Sequence, residues 1–213
     1  MAGGRHRLSR ELILDTVLAM ADESGLERVS MRRVASRLGV EAMSLYNHVS
    51  NKADILDGLV ERLVLEIRVE SHEGEPWQEA LRRLAAEYRS LANAHRMTFT
   101  LLATRPLSTA ASMKHVEPLF TLLGRAGFSV PDRVLALTTY FTFLNGYLLA
   151  EVGTVPGHAD VPEPRALSAL LAAAGEGTVA ADLQGLPAES VGLAANFDRA
   201  VDLVIGGIET LRR

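Results

Sequence analysis

The stretch from Leu26 to Leu56 constrains the fold of this chain more than any other part of its sequence. Within it, Val34, Ala35 and Leu38 are spaced to form one apolar face of a short helix. Gly39 follows, and glycine takes the positive φ of a tight turn without strain. A second short stretch, rich in polar residues, comes next. This order is typical of a helix-turn-helix, which lays its second helix in the DNA major groove.

The residues after the turn indicate where DNA would be contacted. Ser44, Tyr46, Asn47 and His48 are not needed for the small core, so we expect them to project outward, where their polar groups can bond base edges or phosphates. Lys52 stands near the start of the next helix, whose N-terminal amides favour a phosphate. An ordinary helical hairpin with a polar surface explains the apolar positions equally well, so the spacing alone leaves both interpretations open.

Helical spacing continues through most of the chain, and strand-like alternation is absent apart from trivial stretches. Ser9, Ser30 and Asn51 are placed to cap the first, second and fourth helices. We predict an all-α protein with a three-helix head at residues 1–52 and a helical body at residues 53–213, in which residues 53–70 form a linking helix. The third helix is predicted at about residues 42–49, and later helices at about residues 108–126, 131–152, 164–174 and 188–211. Another helix is predicted to have Pro76 in its first turn and the following inward face: Trp77, Leu81, Leu84, Tyr88 and Leu91.

Charge is distributed unevenly along the chain, whose formal net charge is −4. Residues 1–52 contain eight Lys or Arg and six acids, whereas residues 53–213 contain fourteen and twenty. A mildly basic head on an acidic body is typical of a protein that touches DNA at one end. Because the head carries six acids, its DNA affinity must come from the placement of its cations rather than from bulk charge.

Composition excludes several classes of protein. There is no cysteine, so neither a disulfide framework nor a thiolate metal site is expected. The N-terminus lacks the apolar stretch of a signal peptide, and the longest uncharged run falls short of the ~20 apolar residues of a membrane helix. We therefore expect a cytoplasmic protein. The six histidines are scattered, and Pro76 occupies the place of the second histidine in the only zinc-like pair, so we predict no metal and no cofactor.

The segment from Leu38 to Leu59, LGVEAMSLYNHVSNKADILDGL, resembles the signature of the TetR family of bacterial repressors, in which a Leu-Tyr-x-His-(Val/Phe)-x-x-Lys run closes the recognition helix. Three later stretches, GEPWQEALRRLAAEYRSL, Ala103 to Pro106, and DLVIGGIETL, resemble the regulatory domain of the tetracycline repressors, a branch of that family. The resemblance implies a helical ligand-binding and dimerisation domain after the head. It also implies a ligand-responsive regulator that binds double-stranded operator DNA, most simply as a repressor.

The resemblance implies particular DNA contacts. Arg32, at the start of the second helix, matches a base-reading Arg. Ser44, Tyr46 and His48 match contacts of the recognition helix, and Lys52 matches a phosphate-binding Lys.

Three positions depart from the tetracycline repressors. Ala42 stands in the place of a base-reading Gln, Met43 in the place of Pro, and Asn47 in the place of Trp. Apolar Ala42 and Met43 favour thymine methyls and Asn47 favours adenine, so we expect a different operator rather than a loss of DNA binding. The predicted DNA-binding set is Arg32, Arg33, Ala42, Met43, Ser44, Tyr46, Asn47, His48 and Lys52.

The resemblance also implies an effector pocket in the helical body. Polar groups on apolar walls mark it, since buried polar groups need partners that a ligand or water can supply, although an aromatic residue at helical spacing is more often core. Leu101 occupies the place of the His that holds the drug-bound magnesium in the tetracycline repressors, and Leu cannot ligate a hard cation. We therefore expect a larger, more apolar small-molecule effector. The predicted effector-binding set is Tyr88, Thr100, Leu101, Thr104, Arg105, Pro106, Tyr140, Asn145 and Tyr147.

Two apolar helices predict a homodimer, namely residues 131–152 and 188–211. The second carries Val201, Leu203, Val204, Ile205 and Ile208, more apolar surface than one helix needs inside its own subunit. With their symmetry mates the two helices would form a four-helix interface. The two recognition helices would then lie ~34–36 Å apart and read a near-palindromic operator.

Two other classes of protein compete with a regulator. An enzyme is disfavoured because the sequence contains no Gly-x-Ser-x-Gly elbow, His-Glu-x-x-His, P-loop or dinucleotide glycine cluster. A helical adaptor that binds only protein would leave Arg32, Tyr46 and Lys52 as plain surface residues, and a salt-dependent gel shift with DNA separates the two cases. An activator would use the same head as a repressor.

Overall fold

The structure is a computed structural model that describes residues 7–69, 72, 74–105, 109–152 and 192–212. Over those ranges the chain forms helices and turns and no strand, which confirms the all-α class. The α-helices are α1 Arg10–Ser24, α2 Met31–Leu38, α3 Ala42–Leu45, α4 Lys52–Glu66, α5 Trp77–Ala94, α6 Thr100–Thr104, α7 Ala110–Arg125, α8 Val130–Val152 and α9 Leu193–Glu209. Pro106 and the helix predicted around residues 164–174 lie outside the described residues.

Two predicted helices have different bounds in the structure. The third helix was predicted to reach Val49, but α3 ends at Leu45, because the following amides of Tyr46 and His48 bond three residues back, to Met43 and Leu45, in successive turns. The last helix was predicted to begin near residue 188, but α9 begins at Leu193, where Gly192 has an extended backbone and stands as the N-cap.

The chain divides into two compact units. The first comprises Met1–Ile67 and His95–His115, and the second comprises Arg68–Ala94 and Val116–Arg213. The predicted division at residue 52 separates a DNA-binding head from an effector-binding and dimerisation body. It is a division by function, and it stays a prediction. Among the described residues, none of the helices combines the length and the apolar character needed to span a bilayer.

The first unit is built around α1 and α4. The predicted caps are present, since the side-chain oxygens of Ser9, Ser30 and Asn51 accept backbone N–H groups at 3.2, 3.4 and 3.0 Å. Gly58 of α4 lies so close to α1 that a Cβ there would stand 2.7 Å from a methyl carbon of Leu14. The core of this unit contains Ile13, Leu14, Val17, Ala21, Val34, Ala35, Leu45, Val49, Ile55, Leu59 and Leu63.

The second unit packs α5, α8 and α9 against one another. The predicted inward face of α5 is confirmed, because Trp77, Leu81, Leu84, Tyr88 and Leu91 are all buried. The buried residues of α8 recur every four positions, as expected for one face of a helix: Ala136, Tyr140, Leu144, Leu148 and Val152.

Candidate nucleic-acid interface and ligand-binding residues

The turn between α2 and α3 sets the direction of the polar segment that follows it. Gly39 ends α2 with a left-handed backbone at φ 67°, and its N–H bonds back to the carbonyls of Ala35 and Ser36. The N–H of Val40 also bonds to the carbonyl of Ala35, at 3.0 Å. These bonds cap the last carbonyls of α2 and fix the turn, as in many glycine-ended helices. The chain then enters α3 with Leu45 turned into the core.

The side chains around Leu45 divide into an inner and an outer set. Leu45 and Val49 are buried, whereas Met43 is 73% exposed, Tyr46 is 48% exposed, and Asn47 and His48 are also exposed. Ala42 and Ser44 are half-buried at the edge of the outer set. We call residues 42–44 and 46–48 together with Lys52 the recognition surface. It presents hydroxyl, amide, imidazole, thioether and ammonium groups to solvent.

The start of α4 is held next to this surface by a hydrogen-bonded corner. The side chain of Asn51 accepts the N–H of Asp54, while the Asp54 carboxylate accepts the N–H of Ser50 at 2.8 Å. Arg10 of α1 donates to the same carboxylate at 2.7 Å, and this contact lowers the pKa of Asp54 below its usual value. Lys52 is exposed on the first turn, where the free amides and the helix dipole favour an anion.

Of this corner, only the cap at Asn51 was predicted from the sequence. Asn51 and Asp54 have the spacing of a capping box, but the Asp54 carboxylate accepts the N–H of Ser50 rather than that of the cap residue itself. That spacing is readable in the sequence. The contribution of Arg10 is not, because it comes from a residue 44 positions earlier in the chain.

Arg32 and Arg33 are both exposed on the first turn of α2. Arg33 donates a guanidinium N–H to the carbonyl of Arg28 at 2.7 Å, so part of its hydrogen-bonding capacity is directed to the backbone. The DNA-contacting roles of both residues stay predictions.

The predicted effector residues fall into both units. In the first unit, Leu101 is buried, and Thr100 and Thr104 are exposed, with the Thr104 hydroxyl bonded to the carbonyl of Thr100. The Arg105 guanidinium donates twice to one carboxylate oxygen of Asp57, at 3.1 and 2.6 Å. Arg105 therefore joins the end of α6 to α4.

In the second unit, three tyrosine hydroxyls have partners within the protein. Tyr88 donates to the side-chain carbonyl of Asn145 at 2.7 Å, Tyr140 donates to the carbonyl of Leu81, and Tyr147 donates to the carbonyl of Leu193 at 2.6 Å.

The expectation that polar groups here need a ligand or water as a partner is wrong for the hydroxyls of buried Tyr88 and Tyr140 and of half-buried Tyr147, because the backbone and Asn145 satisfy them. Burial raises the pKa of both Tyr88 and Tyr140, so both hydroxyls are protonated donors at neutral pH. Whether these residues also contact an effector stays a prediction.

A charged pair in the second unit was missed by sequence reasoning. Arg89 donates to the Glu151 carboxylate at 2.8 Å and to the carbonyl of Ala194 at 2.9 Å, and it lies 4.7 Å from the ring centre of Phe197. The second oxygen of Glu151 is buried without a hydrogen-bond partner. The resemblance to the tetracycline repressors aligns Ala150 or its neighbour Glu151 with an acid near their magnesium ion, but the charge of Glu151 is balanced by Arg89. In the part of the chain that the structure describes, no three His, Cys, Asp or Glu side chains are grouped to hold a metal ion.

The apolar residues of the two predicted dimer helices do not all face outward. Val201, Ile205 and Ile208 of α9 are buried in the core of their own unit, which corrects the prediction that they form the interface. Leu203 is 79% exposed and Gly206 and Gly207 lie on the same exposed side. On α8, Val130, Val134 and Leu135 are each more than half exposed.

Comparison with known proteins identifies both parts of the chain. Residues 13–59 match the model of the bacterial regulatory proteins of the tetR family, and residues 70–212 match the tetracyclin repressor-like C-terminal domain. The chain is 32% identical over 212 residues to the class C tetracycline repressor of Escherichia coli, with 97% of this chain and 93% of that protein covered. It is 29% identical over 201 residues to an HTH-type transcriptional regulator of Saccharopolyspora erythraea, with 94% and 84% covered.

The fold is similar to that of the Streptomyces coelicolor protein ActR, solved in complex with (S)-DNPA. The TM-score is 0.81 at 23% identity, and the match covers 98% of this chain and 100% of that one. Members of the family matched here are dimeric transcription factors, not enzymes, that bind operator DNA and small-molecule ligands. The predicted function is thereby confirmed: this chain belongs to the TetR family of bacterial regulatory proteins and is a ligand-responsive, DNA-binding transcriptional regulator.

Proposed function

We propose that this regulator is a cytoplasmic homodimeric repressor that binds a near-palindromic operator through its recognition surface and releases it when a small, mainly apolar molecule binds. The observation that carries the proposal is the division of side chains around Leu45. Leu45 and Val49 supply the apolar anchor, and Tyr46, Asn47 and His48 stand exposed between them. A helix face of this kind buries the apolar side chains that form the core and leaves polar groups exposed, where they can bond base edges.

The recognition surface and Arg32 of α2 have separate roles in this proposal. Tyr46, Asn47 and His48 contact base edges or phosphates in the major groove, and Arg32 reads a base from the start of α2. Lys52 and the first amides of α4 bind a phosphate and so fix the register of the head on the duplex. Exposed Met43 makes apolar contact with a thymine methyl.

We propose an apolar effector because this chain lacks the metal-binding side chains of the tetracycline repressors at the matching positions. Leu101 is buried where the tetracycline repressors have a magnesium-binding His, and the acid at Glu151 is engaged by Arg89. The class C tetracycline repressor is a relative at 32% identity, which supports a small organic molecule as the class of effector. We propose that its binding shifts α6, and that the contact of Arg105 with Asp57 carries that shift to α4. The effector can change operator affinity only to the extent that it binds the DNA-binding conformation and the released conformation with different affinities.

The homodimer is proposed to form through the exposed apolar side of α8 and the side of α9 marked by Leu203, Gly206 and Gly207. The two glycines have no heavy atom within 4 Å of where a Cβ would stand, so a second helix can approach closely there. A two-fold interface of this kind explains why the operator should be near-palindromic.

The proposal is tested by selecting duplexes from a random library with the purified protein and screening apolar small molecules for release of the selected site. We expect a site with two-fold symmetry whose half-sites lie about one helical turn apart. We also expect an Asn47→Ala variant to change the selected bases while a Ser90→Ala variant, on the exposed side of α5, does not. Selection of no duplex, or an effector that binds without changing operator affinity, would contradict the proposal.

A further inference from the structure

His95 lies between two carboxylates that belong to different helices. Its Nδ1 is 2.7 Å from a carboxylate oxygen of Asp22 on α1, and its Nε2 is 2.8 Å from a carboxylate oxygen of Glu66 at the end of α4. The side chain of His95 is only 15% exposed. An ionised carboxylate only accepts hydrogen bonds, and a neutral imidazole has a single N–H to donate. Both contacts are therefore satisfied only when the ring carries its second proton.

Thr98 strengthens the tie to α1. Its hydroxyl donates to the other carboxylate oxygen of Asp22 at 2.9 Å, and the residue is fully buried. Both oxygens of Asp22 are thus engaged by the segment that begins at His95 and continues into α6. This segment belongs to the same compact unit as α1 and α4.

Among the residues that the structure describes, the ionisable groups that act on the imidazole are Asp22 from α1 and Glu66 from α4. The nearest cation on α4, Arg62, lies one turn before Glu66 and is engaged by Asp15 of α1. The environment of His95 is therefore anionic, which favours the imidazolium.

We propose that His95 is a positioning residue for operator binding: its imidazolium clamps the segment from His95 to Thr104 onto α1 and α4, and loss of its proton releases the clamp and lowers operator affinity. The connection to DNA runs within the first unit. Helix α1 packs against α2 and α4, and its Arg10 holds the corner at Asp54 next to Lys52. A change in how α1 is held therefore changes the placement of the recognition surface.

The pH range follows from the partners of the ring. The hydrogen bond to Asp22, reinforced by Glu66, raises the pKa of His95 from 6.5 to about 8 against the opposing effect of burial. A group whose pKa is raised by folding contributes stability that is complete below pH 6.5 and is lost as the pH rises through about 8. Because the pKa shift has this size, the clamp can change operator affinity by at most about thirtyfold.

The experiment is a pH series of operator affinity from pH 6 to 9 at constant ionic strength, using a labelled duplex selected by the protein itself. We expect the wild-type affinity to fall by about fivefold to thirtyfold with a midpoint near pH 8. His95→Gln should bind the operator weakly at every pH, without a fall in affinity near pH 8. His95→Arg, which keeps a positive charge but does not titrate in this range, should stay near the wild-type low-pH affinity throughout.

His115→Gln is the matched control, because its ring Nε2 lies 2.6 Å from a backbone carbonyl of the same unit, that of Ile67, rather than from a carboxylate. It should retain the wild-type midpoint. A wild-type affinity without a fall near pH 8, or the same fall in His95→Gln, would overturn the clamp. If the His95 variants do not fold, an NMR titration of the wild-type imidazole decides, since a midpoint at or below 6.5 contradicts the proposal. Absence of operator binding at every pH would instead contradict the recognition surface.

Discussion

The recognition surface of the first unit and the core of the second unit use their polar side chains in opposite ways. In the first unit, Tyr46, Asn47 and His48 stand exposed on the recognition surface, outside a core of aliphatic residues. In the second unit, the hydroxyls of Tyr88 and Tyr140 are buried and bonded to other parts of the same unit. The difference shows that a polar group on an apolar helix indicates a binding partner only when the fold itself leaves that group unsatisfied.

The largest effect is expected from breaking the enclosed charge pair of the second unit. In Arg89→Leu, Glu151 keeps its charge in a site where one of its oxygens already has no partner, so the free energy of unfolding should fall by about 3 kcal/mol. Arg82→Leu, on the same helix, breaks pairs with Asp202 and Glu79 that are roughly half exposed, and it should cost less than about 1 kcal/mol. Denaturant unfolding of both variants measures the difference. Equal losses would mean that burial of the Arg89 pair is unimportant.

A glycine substitution compares the packing of the two units. Gly58→Ala places a methyl 2.7 Å from a buried Leu14 carbon and should destabilise the first unit by about 1–3 kcal/mol, although alanine favours a helix. Gly124→Ala in the second unit meets the end of the flexible Arg133 side chain instead, and its unfolding free energy should change by no more than about 1 kcal/mol. Thermal unfolding distinguishes the two, and a neutral Gly58→Ala would show that α1 and α4 are less closely packed than described.

Removing one hydroxyl from each unit tests the comparison most specifically. Tyr88→Phe leaves the side-chain carbonyl of Asn145 without its donor and should cost about 1–2 kcal/mol of stability. Tyr46→Phe removes an exposed hydroxyl and should leave stability unchanged while it weakens operator binding by about 1 kcal/mol. Unfolding curves and operator affinity are measured on both variants. The contrast between the units fails if Tyr46→Phe destabilises the fold as much as Tyr88→Phe does.

Much of the fold was predictable because its signals are local. Ser9, Ser30 and Asn51 cap their helices as their positions in the sequence indicate, and Gly39 forms the turn that its lack of a side chain permits. The outward direction of Tyr46 and His48 followed from the spacing of the core residues around them. Each of these features depends on neighbours within four residues along the chain.

The features that could not be predicted depend on contacts between distant segments. The partners of His95 come from positions 22 and 66, and the partner of Tyr88 comes from position 145. Helix α9 is apolar on several sides, so its sequence does not tell which side enters the core, and Ile205 and Leu203 were assigned to the same interface. Only the packed structure separates the buried side from the exposed one.

The central claim, that the recognition surface grips operator DNA, is tested most directly by the salt dependence of binding. The chain has two lysines, Lys52 on the recognition surface and Lys114 on the exposed side of α7, and both are exposed. Removing one phosphate contact lowers the steepness of log affinity against log salt concentration by about 1, so losing Lys52 from both subunits of the homodimer lowers it by about 2. We predict that Lys52→Ala shows this loss and Lys114→Ala keeps the wild-type slope. A wild-type slope in Lys52→Ala would contradict the account.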